Sequence, residues 1–127
     1  MLSDARNDRA ARPLTQESAT ENHMIVVLAE IEIAPENLAA MKDAVREMEK
    51  ASLAEAGCHE YCFSQELSHP EKLRIVELWE SMDALAEHFG MPHMKTFNQA
   101  IGANPPKSMS VKVHELGEER SLPRPGS

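Results

Sequence analysis

Cysteine is nearly absent from this chain, and basic residues fall short of acidic ones. Only Cys58 and Cys62 occur among the 127 residues. On a regular strand they share one face about 13 Å apart, at about 3.3 Å per residue, too far for a disulfide. We therefore expect reduced packing residues and a cytoplasmic location. Thirteen Lys and Arg against 21 Asp and Glu give a formal charge of −8. No basic stripe is available to neutralise phosphates, so nucleic acid is excluded as a partner. Acidity of this degree instead favours a soluble small assembly. No apolar run approaches the roughly 18 residues of a membrane span. Glycine-rich phosphate loops, Ser or Cys triad motifs, dinucleotide fingerprints and internal repeats are all missing.

What remains is one domain's worth of sequence with a clear pattern. Residues 1–23 carry neither apolar periodicity nor a secretory h-region and are expected to be a disordered extension. Residues 117–127 (GEERSLPRPGS) are expected to be a flexible polar tail. Between them, residues 24–116 alternate strand and helix patterns. Met24–Ile33 is β-branched and partly alternating, which predicts a strand. Pro35 suits a first helical turn, Leu38, Met41, Val45 and Met48 recur at helical spacing, and Gly57 is placed as the C-cap. Cys58–Glu66 and Leu73–Glu80 predict two strands joined through Ser68-His69-Pro70-Glu71. Ser81 caps a short helix with Leu85, His88 and Phe89 on one side. Gly90 breaks it, Pro92 opens another helix with Met94, Phe97 and Ile101 facing together, and Met109–Leu116 closes as a strand.

This β-α-β-β-α-β order is the α+β, ferredoxin-like pattern, an antiparallel sheet with helices on one face. Both sheet faces carry apolar residues: Ile25, Val27, Ile31 and Ile33 oppose Met24, Val26 and Leu28, while Leu73, Ile75 and Trp79 oppose Val76 and Leu78. The helices cover one set. A second copy packed sheet against sheet is the economical cover for the other, so a homodimer is expected. At this size a chain buries only about 60–65% of its unfolded surface, which adds to the need for a partner.

Several stretches carry the chemistry. They are Glu55-Ala56-Gly57-Cys58-His59-Glu60-Tyr61, Ile75-Val76-Glu77-Leu78-Trp79-Glu80-Ser81, and His88 followed by Met91-Pro92-His93-Met94-Lys95-Thr96-Phe97. Together they resemble the antibiotic biosynthesis monooxygenase family, nearest to its bacterial quinol monooxygenases, over roughly residues 24–116. The resemblance implies a dimeric α+β barrel with a pocket between sheet and helices. It also implies oxygenation of a hydroquinone or phenolic aromatic by dioxygen, with no flavin, haem or metal cofactor. The domain also hosts haem-degrading enzymes. Their axial histidine would fall near Asn98 and their first-strand asparagine near Ile31, and neither residue fits.

Within that frame His93 and His88 are the catalytic candidates, and Trp79, Glu77, Tyr61 and Phe97 the substrate-binding ones. His93 follows Pro92 in a first helical turn, where the positive end of the macrodipole favours the neutral, proton-accepting ring. His88 shares a helix side with Leu85 and Phe89, a position equally suited to a satisfied core histidine. Trp79 serves either as packing or as an aromatic wall whose indole N–H reaches a substrate oxygen. Glu77, two residues before it on one strand face, would be a partly buried carboxylate in need of a partner or a proton. A histidine from the following helices is the expected partner. Tyr61 either turns its hydroxyl to the pocket or completes the core. His88 and His93 are not an i, i+4 pair on one helix, and no third ligand has a compelling spacing, so no metal site is expected. The alternatives are an isomerase or processing enzyme for a small oxygenated metabolite, and a non-catalytic dimeric ligand-binding protein.

Overall fold

Alternation decides which face of the sheet is buried. A computed structural model of the chain describes residues 23–126, so the expected extension 1–23 lies outside the described residues except for His23. Four strands, β1 (Ile25–Glu32), β2 (Cys58–Glu66), β3 (His69–Trp79) and β4 (Ser108–Glu115), form one antiparallel sheet in the order β2-β3-β1-β4. Three helices, α1 (Pro35–Leu53), α2 (Met82–His88) and α3 (Pro92–Ala103), connect them. The architecture is the expected α+β, ferredoxin-like one, with a second short helix before α3. The core lies on the helix side, where Ile25, Val27, Ala29 and Ile31 of β1 meet Leu73, Ile75 and Trp79 of β3 in register. Met41 and Met48 of α1, Leu85 of α2 and Phe97 of α3 press onto this set from the helix layer.

Helix boundaries follow their local chemistry. Pro35 opens α1 with fixed φ and no wasted N–H, and Glu36 and Lys50 complement the dipole at its two ends. Ser81 caps α2 by accepting the Ala84 N–H at 3.1 Å. Gly57 is not the C-cap of α1, which ends at Leu53 with Ala54 as cap. Its carbonyl instead accepts the Glu80 N–H at 2.8 Å, which lays the backbone directly under α2. A Cβ at Gly57 would collide with that of Ala84.

Two irregularities in the β2–β3 ladder change expectations made from simple alternation. A register shift between Cys58 and Glu60 pairs Cys58 with Trp79 on the helix side but Cys62 with Val76 on the open side. The two cysteines therefore occupy opposite faces, and both are free. His59, within the shift, lies near Glu80 at 3.6 Å and well exposed, rather than beside Tyr61. The second shift follows Gln65, and Pro70, which has no N–H to give a ladder, is accommodated there with its carbonyl bonded by Gln65 at 2.8 Å. The reversal itself is the Leu67-Ser68 turn, so β3 starts earlier than expected.

The open face is only half apolar. Val26, Leu28, Val76 and Leu78 cluster at one end, and Leu28 is 45% exposed. At the other end Arg74 bridges Glu30 at 2.8 Å and Glu66 at 3.2 Å. Among the described residues nothing covers β4 on the helix side, and Met109, Val111 and Val113 are about half exposed.

The Gly57–Ala84 contact yields a stability prediction. Gly57→Ala should cost about 1–3 kcal/mol through overpacking, lowering Tm by about 4–8 °C per kcal/mol. Gly102→Ala, in α3, would place its methyl in open space with nothing within 4 Å, and should be neutral or stabilising by up to about 1 kcal/mol. Thermal melts of the two variants check this, and equal effects would refute the packing account.

Candidate active site

Uncovered β4 leaves room between sheet and helices. A cavity of about 140 Å³ lies there, floored by Val27, Ala29, Ile31 and Ile75 and roofed by Met94, Phe97 and Ile101. Its open side is β4 with Met109, Val111 and Val113, and Phe89 stands beside it. Helical spacing groups Phe89 with the buried side of α2, yet it is 60% exposed, because α2 ends at His88 and the chain turns there. The polar lining is short: Tyr61, Glu77 and Asn98. A larger groove of about 320 Å³ runs between α1 and β2, but its ionisable lining is Lys42 and Arg46, with no carboxylate, imidazole or phenol. Of these two, only the smaller cavity carries a carboxylate and a phenol.

Glu77 is its central group. β3 alternation puts it on the buried side between Ile75 and Trp79, and only 8% of it is exposed. Trp79 Nε1 donates to Glu77 Oε1 at 2.9 Å. Of the two readings of Trp79, packing or an indole N–H turned to a substrate, the N–H is engaged by the carboxylate, and Trp79 does not line the cavity. Burial drives the Glu77 pKa above its usual value. The Trp79 hydrogen bond, the field of His88 and the Tyr61 side chain offset this only in part. Tyr61, opposite Glu77 in the ladder, is pushed well above the ordinary phenol range by burial and then by Glu77, and so stays protonated. Cys58 is raised to about 11, by burial first and then by Glu55 and Glu77, and is no nucleophile at neutral pH.

The two histidines are drawn elsewhere. His88 Nδ1 and His93 Nε2 each lie 2.6 Å from the same Glu55 Oε2. Both nitrogens carry the proton they donate, and neither ring lines the cavity. His88 is wedged behind the site, 4.7 Å from the Trp79 ring and 5.5 Å from Tyr61 between centroids. His93 faces a separate surface cavity with Pro92, Thr96 and Phe97. The structure thus brings Glu77, Tyr61 and Phe97 to one cavity and Trp79 to its edge, and gives the histidines to Glu55. Sequence reasoning misses Glu55 and Asn98. Nothing in sequence spacing relates Glu55 to partners 33 and 38 residues away, whereas the Met94, Asn98, Ile101 spacing would have placed Asn98 on the cavity side of α3. Among the described residues Glu55, His88 and His93 also form the most buried group able to hold a metal ion.

The fold and site define a ferredoxin-like α+β domain with a shielded carboxylic acid in an apolar, aromatic-edged pocket. The chain belongs to the antibiotic biosynthesis monooxygenase family, whose sequence profile matches residues 24–100. It is 31% identical to the probable quinol monooxygenase YgiN of Escherichia coli K12 over 104 residues, covering 74% of this chain and 99% of that protein. The solved structure of Rv0793 from Mycobacterium tuberculosis is 26% identical, with TM-score 0.69 over 77% of this chain and 99% of its own. PA3566 from Pseudomonas aeruginosa, 22% identical with TM-score 0.69 over 77% and 98%, shares the fold.

A pH prediction follows from Glu77. Its folded-state pKa lies above the unfolded one, so the native state holds the proton longer. Stability is fully present below the usual carboxylate range and lost as pH rises toward the raised value. Glu77→Gln keeps an acceptor for Trp79 and cannot ionise. Its stability relative to wild type should increase as pH climbs from 4.5, by at most about 1.4 kcal/mol per unit, then level off. Urea unfolding across pH measures this, and a pH-independent difference would refute the buried-acid account.

Proposed function

We propose that the chain is a monooxygenase for a hydroquinone or phenolic aromatic, with Glu77 as the proton acceptor. The observation that carries this is a buried, upshifted carboxylate in a cavity whose other lining is apolar except for Tyr61 and Asn98. At about 140 Å³ the cavity is close to the roughly 150 Å³ that holds one benzene ring, and its β4 side leaves space for a second. Family membership and the named activity of YgiN point the same way.

Dioxygen is a triplet and reacts slowly with closed-shell molecules until a phenolate supplies an electron. An ordinary glutamate near 4.3 sits about 6 units, or about 8 kcal/mol, below a phenol near 10. Burial of Glu77 narrows that gap, and the proton it takes leaves it neutral. The new phenolate then faces a carboxylic acid instead of a like charge. The protonated Tyr61 hydroxyl and the Asn98 amide are the donors in reach of the cavity. Phe97 is the stacking surface. One oxygen atom enters the ring and the other leaves as water, so that hydroquinone plus dioxygen gives hydroxyquinone plus water. The substrate supplies the electrons, and flavin, haem and metal take no part. His88 and His93 act at one remove, as positioning residues that hold α2 and α3 through Glu55.

In this reading the assembly is a homodimer that covers Val26, Leu28, Val76 and Leu78, in a cytoplasmic setting that keeps both cysteines reduced. Leu28→Glu should shift the wild-type dimer to monomer in sedimentation at micromolar concentration, and a monomeric wild type would refute it.

Oxygen uptake with a dihydroxynaphthalene-type hydroquinone, corrected for autoxidation, tests the chemistry. Glu77→Gln should lower kcat by about 10²–10⁴-fold while the fold survives. His93→Gln should spare most of kcat. Full activity of the Glu77 variant, or loss confined to the histidine variants, would return the base to His88 or His93. A wild type that binds the hydroquinone without consuming oxygen would make the protein a binding module.

A further inference from the structure

The cluster behind the cavity has a chemistry that the phenol reading does not use. Glu55 comes from the turn after α1, His88 from the last residue of α2 and His93 from the first turn of α3. One donor atom from each lies within 4.8 Å of the other two, and His88 Nδ1 and His93 Nε2 both contact Glu55 Oε2. The side chains are 7%, 1% and 15% exposed. Sequence spacing disfavours a metal because the two histidines share no helix and lack a third ligand. The Gly90–Pro92 corner brings the rings together regardless, and the fold supplies the carboxylate.

We propose that Glu55, His88 and His93 form a binding site for one divalent transition-metal ion of the zinc type, separate from the Glu77 cavity. Two imidazoles and a carboxylate are a donor set suited to zinc, which takes nitrogen at about 2.0–2.1 Å and carboxylate oxygen at about 2.0–2.2 Å. Tetrahedral bonds of that length set neighbouring donors about 3.3 Å apart. The metal-free contacts of 2.6 Å therefore have to open by under an ångström. An imidazole offers one ring nitrogen to a metal while its hydrogen sits on the nitrogen that faces away. The ion would gain one carboxylate charge in a shielded place, where that charge is worth most. Access is available through His93, which borders a surface cavity of about 210 Å³ that also carries Glu47. A water molecule from that side would complete four-coordination. The other three-residue grouping, Glu32, His69 and Glu71, is more open: His69 and Glu32 are 3.6 Å apart and Glu71 is held by Lys107 at 3.2 Å.

The bound ion would fasten the α2–α3 corner to the end of α1, and its role would be to hold the cavity roof in place. The test uses the full chain, stripped with a chelator and desalted, then titrated with Co²⁺ and with Zn²⁺ against a chromophoric indicator. One ion per chain is expected, with the visible d–d absorption of four-coordinate cobalt. In the unmodified protein, Zn²⁺ should shift the ¹⁵N resonances of two imidazoles and leave the other histidines in place. Glu55→Gln and His93→Ala should each weaken binding by at least roughly 10–100-fold, the range that losing even an outer partner of a metal ligand costs. His69→Ala should bind as wild type does. Featureless cobalt spectra, unmoved imidazole resonances, or equal binding by the Glu55 and His93 variants would each overturn the proposal. The resonance shifts are read on the wild type, so a variant that fails to fold leaves the test decisive. None of these readouts depends on turnover, so failure here would not touch the oxygenation reading.

Discussion

One carboxylate oxygen accepting from two imidazoles organises the helix layer. Glu55 Oε2 takes the His88 and His93 N–H groups at 2.6 Å each, and so ties the end of α2 and the start of α3 to the end of α1. Phe89 follows His88, and Met94 follows His93, so the tie also sets two walls of the cavity. α2 has only seven residues, too short to persist without such support. A buried carboxylate with two charge-assisted donors is well satisfied, whereas removing it would strand two imidazole N–H groups in the interior. The corner is therefore held by a polar contact in a layer otherwise packed mostly through apolar side chains.

Two buried glutamates in one small domain meet opposite environments. Glu55 receives two ring N–H groups. Glu77 receives the indole N–H and the Tyr61 side chain, and burial outweighs both. Desolvation penalises the charged form of Glu77, and the donors around it meet that penalty only in part. Glu55 fastens the helix corner through its two contacts, whereas Glu77 is held by Trp79 and faces the cavity. The same logic explains Tyr61, which lies beside an acid with no cation in the cavity and keeps its hydrogen. It also explains why uncovered β4 matters. With Met109, Val111 and Val113 left about half exposed, the cavity stays open on one apolar side.

What is legible in the sequence is legible through periodicity. The 2-residue alternation of β1 and the run Leu73, Ile75, Glu77, Trp79 in β3 name the buried face, Glu77 included. Ser81, Pro35 and Pro92 mark helix starts by capping chemistry that acts within a few residues. Irregularity and distance hide the rest. A ladder shift at Cys58–Glu60 reverses the face of everything before it, which separates the cysteines and displaces His59. Gly57 looks like a helix cap, although the demand on it comes from Ala84, a residue 27 positions away.

The sequence by itself therefore determined the β-α-β-β-α-β order, the buried face of the sheet and the presence of an acid on that face. Each of these depends on residues close together along the chain, where spacing and steric preference act directly. Tertiary structure decided which groups became partners. It gave the Trp79 N–H to Glu77, both histidines to Glu55, and the cavity to Tyr61, Glu77 and Asn98. Hydrogen bonds and desolvation depend on what stands within a few ångströms in space, and that is known only once the sheet has closed under the helices.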